Sequence, residues 1–289
     1  MKLETYTRTL LGALFFVLLV AGSAKSAELE SRFANFDGSK VHYQTTGKGE
    51  EALVFVHGWT CNSDFWRGQS LAFPGVRVVA LDLPGHGRSD KPSVEYTMSY
   101  FARSIEAVMR DAKIKRAVLV GHSMGTPIVR QFYRLYPQNT LGLVIVDGGL
   151  RPFVSKAQAD AFAANLKANY KATASQMVGG MLMPIKDEKL KEEIRSSMLA
   201  TPDYVAVSAM VGMAEEKIYE KDPIKVPVLA VLAKSPFWQP DTEQFLRSLA
   251  PNLEFHMWEG VSHFLMMEKP QEFNRTLQAF LNKNGLLKS

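Results

Sequence analysis

Six short apolar runs punctuate the chain: Ala52–Val56, Val76–Leu81, Ala117–Val120, Leu143–Val146, Val228–Leu232 and Leu253–Trp258. Most are nearly continuous stretches of Val and Leu. A strand solvated on one face alternates apolar with polar residues, whereas a strand buried on both faces does not. The runs therefore predict the inner strands of a parallel sheet. Parallel neighbours need crossovers, and the stretches between the runs have helical spacing. Met98–Ala112 puts Ile105, Val108 and Met109 on one side, Thr126–Tyr136 follows Gly125, Thr242–Leu249 follows Asp241 as a helix cap, and Glu272–Leu281 closes the pattern. Strand and helix in alternation mean an α/β fold, with a mostly parallel central sheet and helices on both faces. Ahead of it, Phe33–Phe36 and Val41–Thr45 flank Asp37-Gly38, a two-residue hairpin signal.

One interval breaks the rhythm. Between Leu150 and Lys225 helical patterns dominate, as in Lys156–Tyr170 and Lys186–Leu199. A strandless connection of about 75 residues is far longer than an ordinary loop. It reads as a helical cap, residues 150–225, inserted into a core made of residues 27–149 and 226–289. Residues 1–26 read as an export signal. Lys2 and Arg8 precede an apolar run from Leu10 to Gly22, and Gly22, Ser23, Ala24 and Ser26 supply small residues for cleavage after Ala24 or Ser26. The run is shorter than the ~20 residues that span a bilayer. A periplasmic or secreted protein with no stable membrane association after signal cleavage is expected, and no Cys stands near the cleavage region to take a lipid.

Composition narrows the function. With 46% apolar and 22% charged residues the chain is an ordinary globular protein, not a disordered or rod-like one. Its single cysteine, Cys61, excludes a disulfide framework and a cysteine-rich zinc site. The net charge of +5 comes from residues spread along the chain, without the Lys/Arg run of a nucleic-acid footprint.

The sharpest motif is Gly121-His122-Ser123-Met124-Gly125, entered from the strand Val118-Leu119-Val120 and leaving into a helix. A nucleophilic hydroxyl held on a tight strand-to-helix turn projects above the sheet, and glycines on both sides avoid collisions in that turn. The helix N-terminus favours negative charge developing nearby. Ser123 is the candidate nucleophile. Among six histidines, His263 lies beyond the last strand, after the nucleophile in chain order, and is the candidate general base. His42 and His256 fall on strands and His86 in a Gly-rich loop, where structural roles are usual. His122 adjoins Ser123 and is expected to point away from it.

Four segments together carry a resemblance: His57-Gly58-Trp59, Asp82-Leu83-Pro84-Gly85-His86-Gly87-Arg88-Ser89, Gly121-His122-Ser123-Met124-Gly125, and Gly260-Val261-Ser262-His263-Phe264. In this order, over residues 50 to 270, the chain resembles an α/β-hydrolase of the esterase, lipase and haloperoxidase-like group. The resemblance implies an oxyanion hole made by the backbone N–H groups of Trp59 and Met124. It leaves the acid open. In this fold the acid often follows the strand after the cap in a Gly-x-x-Asp pattern, but here that strand runs into Ala233-Lys234-Ser235-Pro236. Asp147, at the end of the preceding strand, is favoured because a strand end is a rigid platform. Asp241 is the alternative.

The expected reaction is hydrolysis of carboxylic esters of small to medium apolar substrates through a Ser-His-Asp triad and an acyl-enzyme, with no metal or organic cofactor. Trp59, Phe237, Trp238 and Phe264 are expected to line the substrate pocket, under a cap holding Met177, Met181, Met183, Met198, Met210 and Met213. Cys61 has no accompanying base motif and reads as a small buried residue. The partner expected is a small ester-like molecule. A perhydrolase, lactonase or C–C bond hydrolase on the same triad is the alternative activity, and a non-catalytic ligand-binding protein of this fold is the alternative class.

Overall fold

The computed structural model describes residues 29–287; the expected export segment lies outside the described residues. Eight strands form one sheet: β1 (Glu30–Phe36), β2 (Ser39–Thr46), β3 (Glu51–Val56), β4 (Arg77–Leu81), β5 (Arg116–His122), β6 (Thr140–Val146), β7 (Val228–Ala233) and β8 (Leu253–Trp258). Their order is β1-β2-β4-β3-β5-β6-β7-β8. From β4 to β8 every neighbouring pair is parallel, as the buried apolar runs of β3 to β7 led one to expect. Strand β8 (Leu253–Trp258) is not the inner strand expected but the edge strand, with only Leu253 buried, and its Glu254 and His256 fit that place. The edge is different: β2 pairs antiparallel with both β1 and β4. The β1–β2 turn has Asp37 at φ 49° and Gly38 at φ 79°, the two left-handed residues that a tight hairpin of this twist demands.

The helices are α1 (Arg67–Ser70), α2 (Met98–Asp111), α3 (Gly125–Leu135), α4 (Lys156–Ala168), α5 (Tyr170–Leu182), α6 (Glu188–Leu199), α7 (Asp203–Met213), α8 (Thr242–Leu249), α9 (Leu265–Glu268) and α10 (Pro270–Lys283). Local chemistry starts several of them. The Thr97 hydroxyl accepts the Tyr100 N–H ahead of α2, Ser155 and Gln158 form a reciprocal cap on α4, and the Asp187 carboxylate accepts the Lys189 and Leu190 N–H groups ahead of α6.

Strand β3 has β4 on one side and β5 on the other, so the winding direction reverses there. In open α/β sheets the crevice beyond the carboxyl ends of the strands at such a reversal is where ligands bind. Here those ends carry His57-Gly58-Trp59 and Ser123.

Helices α4 to α7 all fall between β6 and β7. The single helix expected over Lys156–Tyr170 is two, because Asn169 takes non-helical angles (φ −136°, ψ 49°) and separates α4 from α5. The inserted helices are clasped to the sheet's loops. The Trp59 indole N–H donates to the Ala206 carbonyl (2.8 Å), the Thr201 hydroxyl to the Thr60 carbonyl (3.1 Å), and the Asn62 amide to the Ser197 hydroxyl (3.0 Å). Gly212 on α7 lets the backbones meet: a Cβ there would stand 2.5 Å from the Tyr96 carbonyl oxygen. At the far end Arg130, buried, and Arg134 both grip Asp222 (2.7 and 2.6 Å). Among the described residues no helix is long and apolar enough to cross a membrane.

Candidate active site

Ser123 directly follows β5 and has φ 53°, a left-handed conformation that costs a non-glycine residue about 1 kcal/mol or more. The turn is held from both sides: the Ser123 N–H donates to the Val146 carbonyl and its own carbonyl accepts the Thr126 N–H, each at 2.9 Å. Its glycines are required by contact. A Cβ on Gly121 would lie 2.4 Å from the Gly125 carbonyl oxygen, and one on Gly125 would lie 2.5 Å from that of Val56. The N-terminus of α3 opens at once behind it, with its positive dipole end and free N–H groups.

The structure brings His263 and Asp147 together. His263 Nδ1 donates to Asp147 Oδ2 at 2.6 Å. The second carboxylate oxygen, Oδ1, accepts the Ala233 N–H at 2.8 Å, so both oxygens are committed. Asp147 is only 8% exposed and has φ 43°, while its own N–H donates to the Val231 carbonyl (2.9 Å), locking it to the end of β7. Gly148 follows for a physical reason: a Cβ there would fall 2.0 Å from the Thr126 hydroxyl. With Nδ1–H spent on Asp147, the His263 Nε2 keeps its lone pair and can accept a proton.

Asp241 is placed elsewhere. It stands at the start of α8 without making a capping bond, contrary to expectation, because its 55% exposed carboxylate pairs with Arg151 Nη2 and Nη1 (2.5 and 3.1 Å). That pairing lowers its pKa, Arg151 being the cause.

The candidate base sits on a braced loop. The Ser262 N–H and hydroxyl both donate to Glu268, the former at 2.7 Å. The His263 carbonyl accepts a hydrogen bond from His122 Nε2 at 2.8 Å, and the two imidazoles lie 4.7 Å apart. His122 therefore ties the Ser123 turn to the His263 loop, and it lines the cavity with Ser123 instead of pointing away from it as expected. Burial first, and then the neighbouring His263, holds its pKa well below the usual histidine value. It is a neutral donor at Nε2, with a buried, unpartnered Nδ1 beneath Gly58. Neither contact has a signature in spacing: His122 reaches a carbonyl 141 residues away, and Glu268 turns back onto Ser262.

His57 is likewise buried and neutral, its pKa pushed down to about 4 by desolvation. Its Nδ1 donates to the Gly58 carbonyl (2.8 Å) and its Nε2 accepts the Leu83 N–H (3.0 Å), so it orders the loop that carries Trp59. Among the described residues no protein acceptor engages the backbone N–H of Trp59 or of Met124. Two free main-chain donors thus flank Ser123, the requirement for holding an oxyanion.

Ser123 and His263 line one small cavity with Gly58, Trp59, Cys61, His122, Met181, Met198 and Phe264. Its open volume, solvent at the mouth included, is about 170 Å³. Trp59 and Phe264 line it as expected of pocket residues, but Phe237 and Trp238 do not. They border a separate cavity of about 340 Å³ with Gly149, Arg151, Phe153 and Phe245, and Phe237 is 80% exposed. The Lys234–Gln239 loop bends outward after β7 because the Trp238 indole N–H turns back to the Ala233 carbonyl (2.9 Å) and its ring packs on Phe153. Of the methionines in the insertion, Met181 and Met198 reach Ser123's cavity, whereas Met183 is exposed. Cys61 is buried there, and burial raises its thiol pKa far above the ordinary value, which leaves it unreactive. Among the described residues no three His, Cys, Asp or Glu side chains come together to hold a metal.

Residues 51–179 match a family model described as alpha/beta hydrolase fold. A 2-hydroxy-6-oxononadienedioate/2-hydroxy-6-oxononatrienedioate hydrolase of Paraburkholderia phymatum is 28% identical over 263 residues, covering 84% of this chain and 91% of that one. A solved structure described as an N-acyl homoserine lactone degrading enzyme superposes with a TM-score of 0.73 at 26% identity, over 86% of this chain and all of its own. An esterase from Exiguobacterium antarcticum shares the fold, with a TM-score of 0.77 at 20% identity over 88% of this chain and all of that one. The eight-stranded sheet, the family model matched over residues 51–179 and these hydrolase relatives show that this chain has the α/β-hydrolase fold.

Proposed function

We propose that the protein is a serine hydrolase of short-chain carboxylic esters. One observation carries the reading: Ser123, on its left-handed turn, shares a small apolar cavity with His263, whose Nδ1 is bonded to Asp147. Ser123 Oγ attacks the ester carbonyl while His263 Nε2 takes its proton. The carboxylate of Asp147 stabilises the imidazolium through Nδ1–H. The tetrahedral oxygen rests on the Trp59 and Met124 N–H groups, each such donor being worth about 3 kcal/mol in a transition state. His263 returns the proton to the departing alkoxide. Water then repeats the sequence on the acyl-enzyme, releasing the acid and freeing Ser123.

The cavity's lining supports the substrate class. Trp59, Met181, Met198 and Phe264 give the cavity an apolar lining suited to a short acyl group, and no Lys or Arg borders it. A dicarboxylate, of the kind named for the Paraburkholderia relative, calls for a cation, and Arg151 lines the other cavity and is paired with Asp241. A lactone is a cyclic ester and fits the same chemistry. We further propose that residues 1–26 are removed on export, which N-terminal sequencing of the secreted or periplasmic protein tests. The activity is tested with p-nitrophenyl esters from acetate to octanoate, a lactone, a dienedioate, and a carboxylic acid with peroxide. Highest kcat/KM on the two- to four-carbon acyl esters supports the reading. Selective turnover of the dienedioate, or of the acid with peroxide, refutes it.

A further inference from the structure

A second serine–histidine–carboxylate chain runs through the β1–β2 edge of the sheet, and none of its members lines the Ser123 cavity. Asp82, which follows β4, is buried and accepts His42 Nδ1–H at 2.8 Å. The opposite ring nitrogen, His42 Nε2, lies 2.8 Å from the hydroxyl of Ser31 on β1. The other contacts of Asp82 set its orientation: Oδ1 accepts the Ser63 N–H (2.6 Å) and Oδ2 the Arg88 N–H (2.9 Å). A carboxylate with these partners stays ionised and keeps the proton of His42 on Nδ1. The lone pair is then on Nε2, so Ser31 Oγ–H is the donor. That is the proton arrangement of a hydroxyl paired with a general base.

His42 is buried, whereas Ser31 is an exposed residue. Strand register puts Gln44 opposite Ser31 and His42 opposite Phe33, so all four share one face of the hairpin. Phe33, 49% exposed, lies edge-on to the imidazole at 5.2 Å and offers apolar surface beside the hydroxyl.

We propose that Ser31 is an acylation site, taking acyl groups from activated aryl esters with His42 as base. Ser31 Oγ bonds to the carbonyl carbon as its proton passes to His42 Nε2. The carbonyl re-forms, the bond to the aryl oxygen breaks, and that oxygen leaves with the electron pair and takes up the proton. Gln44 is the neighbouring amide for the intermediate's oxygen, but it already donates to Asp64 at 3.2 Å. A donor so engaged stabilises less than free main-chain N–H groups, so Ser31 acts as a stoichiometric acceptor and not as a second turnover site.

The test uses the full chain carrying Ser123→Ala, which removes the proposed active-site nucleophile, treated with p-nitrophenyl acetate and mapped by peptide mass spectrometry. Ser93, exposed and without a histidine partner among the described residues, is the internal comparison. Acetylation of Ser31 about a hundredfold faster than Ser93 is expected, the size of a general-base effect. A His42→Gln variant whose circular dichroism matches the parent should lose that excess. Equal acetylation of Ser31 and Ser93 in the parent overturns the proposal, and needs no variant of the buried histidine. So does an undiminished excess in folded His42→Gln.

Discussion

Replacing Asp147 by Asn separates the proposed triad from every nearby alternative. The side chain keeps its size, but one of its two acceptors becomes an NH2 donor. Asp147 Oδ1 holds the buried Ala233 N–H at 2.8 Å and Oδ2 holds His263 Nδ1–H at 2.6 Å. The asparagine oxygen can serve only one of them. If it stays on Ala233, its NH2 faces His263, Nδ1 must become the acceptor, and the ring's proton moves to Nε2. An Nε2–H imidazole cannot take the Ser123 proton. If the amide flips, its NH2 collides with the Ala233 N–H in a site with almost no solvent, an unpaired donor costing about 1–3 kcal/mol. The first arrangement is cheaper, so the fold survives and catalysis does not. Loss of the correct tautomer in a triad lowers kcat by about 10⁴, or roughly 5.5 kcal/mol of barrier. The assay is steady-state hydrolysis of p-nitrophenyl acetate with circular dichroism as the folding control. Asp241→Asn is the matched comparison: it touches only the ion pair of a solvent-exposed carboxylate with Arg151, and such pairs contribute little. Turnover of folded Asp147→Asn within about tenfold of the parent, against the ~10⁴ loss expected, would refute the reasoning. A large loss in Asp241→Asn would move the acid there.

Shortening either cavity methionine, by Met181→Ala or Met198→Ala, should favour hexanoate over acetate by tenfold or more in kcat/KM, since each accommodated methylene is worth about 1–3 kcal/mol; unchanged chain-length preference would exclude these residues from the acyl site. Gly125→Ala drives a Cβ to 2.5 Å from the Val56 carbonyl and should lower stability by about 1–3 kcal/mol, read as a reduced melting temperature. An unaltered midpoint would contradict the packed turn. Acid should destabilise the fold before most carboxylates titrate. The unfolded chain protonates its histidines near pH 6.5, but buried His57 resists until about 4 and His86 until about 3. Stability is then complete above the unfolded value and falls as pH drops from about 6.5 through the folded value, by on the order of 3 kcal/mol for His57 alone. Urea midpoints that are equal at pH 7.5 and 4.5 would contradict neutral burial.

The parallel sheet was legible because strands buried on both faces have nowhere to place polar residues, so β3, β5, β6 and β7 stand out as apolar runs. The edge was less so. Nothing in Val41–Thr45 says that β2 would pair antiparallel with β4 as well as with β1. Ser123 could be singled out because its tight turn restricts its neighbours: glycines at 121 and 125 are dictated by contacts of 2.4 and 2.5 Å. His263 was legible from its place in chain order beyond the last strand, and Asp147 from its place at a strand end. Residues that act by reaching across the fold left no such trace. His122 on the His263 carbonyl joins segments 141 residues apart, and even the short-range Glu268 under Ser262 depends on how that loop turns back on itself. The pocket was half legible. Trp59 and Phe264 adjoin motif residues and follow them into the cavity, whereas Phe237 and Trp238 sit on a loop whose outward bend is set by tertiary contacts with Ala233 and Phe153. For the methionines, helical position and not composition decides: Met181 and Met198 face Ser123, but Met183, two residues from Met181, lies in solvent.

Pre-steady-state acylation tests the Ser123 assignment most directly. Mixing the protein with excess p-nitrophenyl acetate and quenching in acid within the first turnover should release one p-nitrophenol per chain in a burst. The acetyl group should then be found on the peptide that contains Ser123, and Ser123→Ala should abolish the burst. A full-amplitude burst that persists in Ser123→Ala, or an acetyl group carried at that stage by another residue while Ser123 stays free, would contradict it.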